Sequence, residues 1–208
     1  MKKLMLATLL ALPTMTQAHE VWIERDGSGP ARIYLGEPAE PPPEGGDPEF
    51  PKLKAPKLLS GSQPSQRRMA GFIEVDAPAG DVRAWDDNVF APWGPEGKKE
   101  GVIYYARAGR SDTRAQMPLE IVPATANGDR FILVRDGKPV AGHSVTVVTP
   151  DKWSRTFTTD ESGGFSFPVR GKGRYLLSGS TKETGPHATA AGSVQVLHRT
   201  TTTTFVAK

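Results

Sequence analysis

The sequence predicts an all-β protein, built as two small antiparallel β-sandwich domains behind an amino-terminal export signal. Three observations carry this. Apolar residues after position 18 fall in short alternating or β-branched runs, with no long helical periodicity. Glycine (22) and proline (19) are abundant and punctuate those runs as strand-connecting turns do. There is no cysteine, so an exported fold has to stand on its apolar core alone.

The first element is the signal. Met1-Lys2-Lys3 is a positive start, Leu4 to Leu12 is an apolar stretch too short to span a bilayer, and Thr16-Gln17-Ala18 is a small-residue exit. Cleavage after Ala18 is expected, with a mature chain from His19 to Lys208 in the periplasm or outside the cell. An uncleaved anchor or a buried helix fits the short run and the Ala18 exit less well. Losing Lys2 and Lys3 lowers the formal charge from +3 to +1, which removes the case for nucleic acid or an anionic membrane as partner. After cleavage nothing in the chain is expected to span a membrane.

The first domain is expected over 19–122. His19–Arg25 reads as a strand, Asp26-Gly27-Ser28-Gly29 as a turn and Ala31–Gly36 as the returning strand of a hairpin. Residues 38–66 form a long Pro/Gly-rich loop whose one anchor is expected at Lys57-Leu58-Leu59. Strands are expected to resume at Gly71–Asp76, Asp81–Trp85, Gly101–Arg107 and Gln116–Val122. Pro123–Asp129 reads as a polar linker. The second domain, 130–208, alternates short β-branched and aromatic runs with Asp136-Gly137, Pro150-Asp151, Ser162-Gly163-Gly164 and Gly171-Lys172-Gly173, the spacing that a small antiparallel sandwich needs. Ser193–Val206, with five threonines at 200–204, is its last strand; threonine favours strands and implies no chemistry there.

No nucleophile elbow, phosphate loop or HExxH helix is present, and no catalytic residue is assigned. Without cysteine, any metal must be held by nitrogen and oxygen. The position of His19 then matters. A histidine at a true amino terminus offers its α-amine and its imidazole Nδ1 to one metal ion, closing a six-membered ring, and both nitrogens shed protons near neutral pH. A further histidine would complete a histidine brace. His187, in the Gly/Pro-containing stretch "TKETGPHATAAG", is read as a loop residue able to swing towards such a site. His143, in "AGHSV", is read as a surface residue, and Glu20 and Glu24 as solvent-facing or hairpin charge partners. Four tryptophans are read as core or edge anchors ahead of a carbohydrate platform.

The stretches "AHEVWIE", "RIYLGEP", "DDNVFAPW", "YYARAGRSDTRAQMPLEIVP", "GKPVAGHSVTVVTPDKW", "TTDESGGFSFPV" and "HRTTTTTF" resemble the exported DUF4198 family over nearly the whole mature chain. The second domain is also similar to transthyretin-like and carboxypeptidase-regulatory-like sandwiches, which serve as binding or spacer modules. The resemblance implies a periplasmic component of nickel or cobalt uptake. It also makes His198, which matches a histidine preceding the last strand in that family, the first choice for the extra ligand, and it brings in Asp87, with Glu37, as an oxygen donor. The expected ligand set is therefore His19, His198, His187 and Asp87, holding a divalent nickel, cobalt or copper ion for delivery to a membrane metal transporter. The alternatives are a copper histidine-brace oxidoreductase and a cell-envelope binding or scaffold protein without metal.

Overall fold

The computed structural model describes residues 19–41, 43–60 and 64–208; the expected signal, residues 1–18, lies outside the described residues. The chain is all-β. In order the strands are β1 (Glu20–Arg25), β2 (Ala31–Gly36), β3 (Lys57–Leu58), β4 (Gln66–Arg68), β5 (Ile73–Val75), β6 (Val82–Asp86), β7 (Glu100–Ala108) and β8 (Leu119–Pro123). They continue with β9 (Arg130–Arg135), β10 (Lys138–Pro139), β11 (Ser144–Val148), β12 (Ser154–Thr158), β13 (Gly164–Ser166), β14 (Gly173–Thr189) and β15 (Gly192–Ala207). Helix among the described residues is a single 3-10 turn, Phe50–Lys52, and none is long and apolar enough to cross a membrane.

A seven-stranded sheet in the order β12-β11-β14-β15-β7-β6-β3 runs through the molecule. Four-stranded sheets, one in the order β1-β2-β5-β4 and the other of β8, β9, β10 and β13, supply the remaining strands. Side chains on a strand alternate between faces, and the two large cores divide by that alternation. From β7, Val102, Tyr104 and Ala106 join one core with Val21, Ile23 and Ile33 of the first hairpin. Tyr105, between them in sequence, joins the other, with Leu119, Ile121, Phe131 and Leu133 of β8 and β9. The middle of the seven-stranded sheet therefore buries both faces, which is why β7 is buried almost throughout and β15 without a break from Thr201 to Phe205.

Two features of chain organisation differ from the sequence expectation. Of residues 123–129, expected as a linker, Pro123 ends β8 and the rest connect it to β9, and the two strands pair antiparallel from Leu119↔Arg135 to Pro123↔Phe131. The last strand, β15, pairs in parallel with β7 from Val196↔Glu100 to Thr204↔Ala108, so the shared sheet crosses the expected boundary. Local turn composition carries no information about a partner so distant in sequence. The loop at 38–66 is also more firmly held than expected: besides Leu58, both Phe50 and Leu53 are buried in the first core.

The threonine run does more than favour a strand. Thr201 to Thr204 are all 0 % exposed. Thr202 Oγ1 donates to the Val21 carbonyl at 2.7 Å, Thr204 Oγ1 to the Ile23 carbonyl, and Thr203 Oγ1, on the opposite face, to the Ile121 carbonyl at 2.7 Å. Val21 and Ile23 belong to β1 and Ile121 to β8, each paired with a single neighbouring strand. The hydroxyls thus satisfy carbonyls on strands that close their sheets, where a buried unpaired acceptor is costly.

A charged cluster fixes the segment between β7 and β8. Glu120 is 0 % exposed, and its Oε1 accepts from Arg83 Nε at 2.7 Å and Arg107 Nη1 at 2.9 Å. Its Oε2 accepts the amides of Gln116 and Met117 at 2.7 and 3.1 Å. Arg107 also pairs with Asp81. Burial pushes the Asp81 carboxyl up, but the Ser111 hydroxyl, the Asp112 amide and Arg107 outweigh it and hold it below the ordinary carboxylate range. Every member is paired, which a buried ionic group requires.

Thr202→Val keeps the shape and removes the hydroxyl, so it is expected to cost about 1–3 kcal/mol in urea denaturation, the cost of an unsatisfied buried carbonyl. Glu120→Gln leaves two buried guanidinium groups undercompensated and is expected to cost about 3–5 kcal/mol in the same measurement. An unchanged midpoint in either variant contradicts the role assigned.

Candidate functional site

His19 sits immediately before β1, where Glu20 pairs with Gly36 at the open end of the first hairpin. Its Nε2 lies 3.1 Å from Asp47 Oδ1, and its ring meets Phe90 edge-on, with centroids 6.3 Å apart. Asp47 is itself fixed, because the same Oδ1 accepts the Glu49 amide at 2.7 Å, a local turn that leads into the 3-10 segment. The two ring nitrogens of His19 are therefore in different situations. Nε2 faces a carboxylate, and Nδ1 is the one on the backbone side, where an α-amine would be if the chain begins at this residue.

His19 and Asp47 border a cavity of about 530 Å³. One wall is a row of aromatic rings from three strands or their ends: Trp22 stacks on Tyr34 with centroids 5.2 Å apart, and Tyr34 meets Phe72 at 5.4 Å. The loop after β2 supplies further lining through Glu37, Glu40, Gly46, Asp47 and Pro48. That loop closes on Gly71, in the bend between β4 and β5, at a point where two backbones nearly touch. A Cβ on Gly46 would fall 2.2 Å from the Gly71 Cα, and both glycines have positive φ, so no other residue type fits either position without moving the wall.

The four expected ligands do not converge. His198 Nε2 bonds Glu100 Oε2 at 2.6 Å and its ring stacks on Trp93 at 5.7 Å, a separate surface cluster across β15 and β7. His187 is not in a loop: β14 continues past a bulge between Thr184 and His187, and His187 stands opposite Val194. Its Nε2 is buried without a hydrogen-bond partner. The reason for the discrepancy is that the Gly185-Pro186 pair, read as a loop signal, is accommodated as a strand irregularity by cross-strand pairing on both sides. Asp87 holds the far end of this long hairpin, accepting the Ala190 amide at 2.9 Å on Oδ2 and pairing with Lys57 at 3.3 Å. Among the described residues no group of three or more His, Cys, Asp or Glu side chains is arranged to hold a metal ion. Glu37 lines the aromatic cavity beside Asp47.

Asp47 is the contact that sequence reading did not single out. It lies in the Pro/Gly-rich stretch, where an Asp-Pro pair signals a turn and nothing more. Glu20, expected as a solvent-facing residue or hairpin charge partner, is neither. Its Oε1 accepts from the Ser178 hydroxyl of β14, and its Oε2 is buried without a partner. Burial pushes this carboxyl up to about 7, against a smaller opposing effect of the Ser178 hydrogen bond. His143 is half-buried, with Nδ1 3.3 Å from the Ala141 carbonyl.

Comparison with known protein families, with curated proteins and with solved structures gives no match to this chain.

Because the Glu20 carboxyl takes up its proton at about 7 in the folded protein against 4.5 when unperturbed, the folded state holds the extra proton between those values. Its contribution to stability is therefore full below pH 4.5 and is lost as pH rises towards 7, by about 3 kcal/mol in total. Glu20→Gln is expected to flatten that slope in denaturation curves recorded from pH 4.5 to 8, and an identical slope in the variant contradicts the assignment.

Proposed function

We propose that this protein is an exported metal-binding protein, periplasmic or secreted, that takes up divalent nickel, cobalt or copper as cargo through His19 and passes it to a membrane metal transporter. The observation that carries the reading is the His19 Nε2 to Asp47 Oδ1 contact of 3.1 Å. A histidine that binds metal through one ring nitrogen characteristically gives the other N–H to a carboxylate, which fixes the tautomer and raises the basicity of the metal-bound nitrogen. Here the carboxylate faces Nε2, which leaves Nδ1 to act with the α-amine of a chain that begins at His19.

The donor set fits a two-nitrogen chelate open on its outer side. His198 and Asp87 are engaged elsewhere and His187 stands in the β14–β15 hairpin opposite Val194, so further donors come from solvent or from the receiving protein. An open chelate suits a carrier, which has to release its ion. The resemblance to the DUF4198 family in the stretches around His19, Glu37 and His198 supports the same direction.

The test is a pair of titrations with Ni(II) and Cu(II), one on protein that begins at His19 and one on protein with a single alanine before it. Tight binding is expected in the first and is expected to be lost in the second, with copper bound more tightly than nickel in both titrations where any binding occurs. Asp47→Asn, in protein beginning at His19, is expected to weaken binding about 10–100-fold. Equal binding by the extended and unextended proteins overturns the reading.

A further inference from the structure

We propose that the cavity beside His19 is a binding site for an organic cation with a flat apolar body, a ligand distinct from the metal ion. A volume of about 530 Å³ is far larger than an ion needs and falls in the range of small-molecule pockets. Its chemistry is one-sided. The apolar wall is the aromatic row of Trp22, Tyr34 and Phe72, and the ionisable groups around it are Glu37, Glu40, Asp47 and His19, with no lysine or arginine among the lining residues.

The carboxylates are available for this. Glu37 and Glu40 make no ion pair among the described residues. Asp47 uses Oδ1 for His19 and for the Glu49 amide, while its Oδ2 has no hydrogen bond among the described residues. Elsewhere on the surface, acidic side chains are commonly paired, as Glu74 is with Arg67 and Asp160 with Arg130. A cavity that joins aromatic surface to uncompensated negative charge favours a ligand carrying positive charge on an apolar frame, because ring faces and carboxylates both attract cations and the walls lower the local dielectric. An anion meets repulsion from three carboxylates in the same space. A neutral molecule gains the stacking and nothing from the charges.

The site is formed by side chains and loop backbone, so it does not require the amino-terminal chelate. The two readings share His19 and Asp47 but fail separately.

The experiment uses three soluble probes of nearly the same shape and different charge: 2-phenylethylamine, protonated at pH 7, neutral 2-phenylethanol, and the anion phenylacetate. Binding is followed by tryptophan fluorescence and by calorimetry at low salt. The cation is expected to bind best, the neutral probe roughly tenfold more weakly and the anion more weakly still. The preference is expected to shrink at high salt. Glu37→Gln with Glu40→Gln, the first half-buried and the second exposed, both outside the cores, is expected to bring the cation down to the neutral probe's affinity with no loss of folding. Tyr34→Ala is expected to weaken cation and neutral probe together. Protein with an alanine before His19 is expected to bind the cation as before, whatever it does with metal. Equal affinity for all three probes, preference for the anion, or no binding of the cation below about 10 mM overturns the proposal. So does full cation affinity in the Glu37→Gln, Glu40→Gln double variant.

Discussion

The constraint on which the architecture rests is the burial of four consecutive threonines in the middle of a sheet that has protein on both faces. Thr201 to Thr204 lie where apolar residues are the ordinary choice. Their β-branched carbons fill the layer, and the hydroxyls of Thr202, Thr203 and Thr204 bind carbonyls of β1 and β8 on alternate faces. Strand pleating does the sorting, since successive residues point to opposite sides. One short stretch of β15 thereby fixes the first hairpin and the β8–β9 hairpin against the same sheet. The parallel alignment with β7 fixes the lateral position of that stretch.

The placement of β1 then decides where the candidate site can form. With Val21 and Ile23 tied to β15, the start of the strand carries Glu20 against Ser178 and leaves His19 at the edge of the layer. The loop leaving β2 has to return past this point. It is held by the burial of Phe50 and Leu53 and by the close passage of Gly46 over Gly71, and this brings Asp47 to the imidazole and leaves a walled space beneath the aromatic row. A residue chosen by its place in the sequence and a carboxylate chosen by tertiary packing meet in one site. The cavity, the carboxylates and the histidine are separate chemical resources at that place: the proposed metal site draws on two nitrogens of one residue, and the proposed cation site on the aromatic and acidic walls.

The other histidines show how the same side chain acquires different work from its surroundings. His198 lies between Glu100 and Trp93, in a cluster made by the parallel β7–β15 pairing. His187 belongs to a strand because cross-strand pairing resumes after the bulge at Gly185-Pro186. Asp87 is committed to the tip of the β14–β15 hairpin through the Ala190 amide. Each of these placements depends on pairing partners that are remote in sequence or on the far arm of a long hairpin.

The amino-acid sequence by itself determined the all-β class, the first hairpin with its turn at residues 26–29, and most strand positions, because alternation, β-branching and turn residues act over a few neighbours. It also pointed to His19, since that inference needs only the position of one residue. The tertiary structure alone decided that one sheet crosses from β3 to β12, that a threonine run is a fastening between layers, and that Asp47 lies against His19. These depend on which strands pair and which carbonyls are left without partners, quantities set by long-range contacts. Local propensity cannot encode them, because the same Asp-Pro turn or threonine strand fits equally well on a solvated surface.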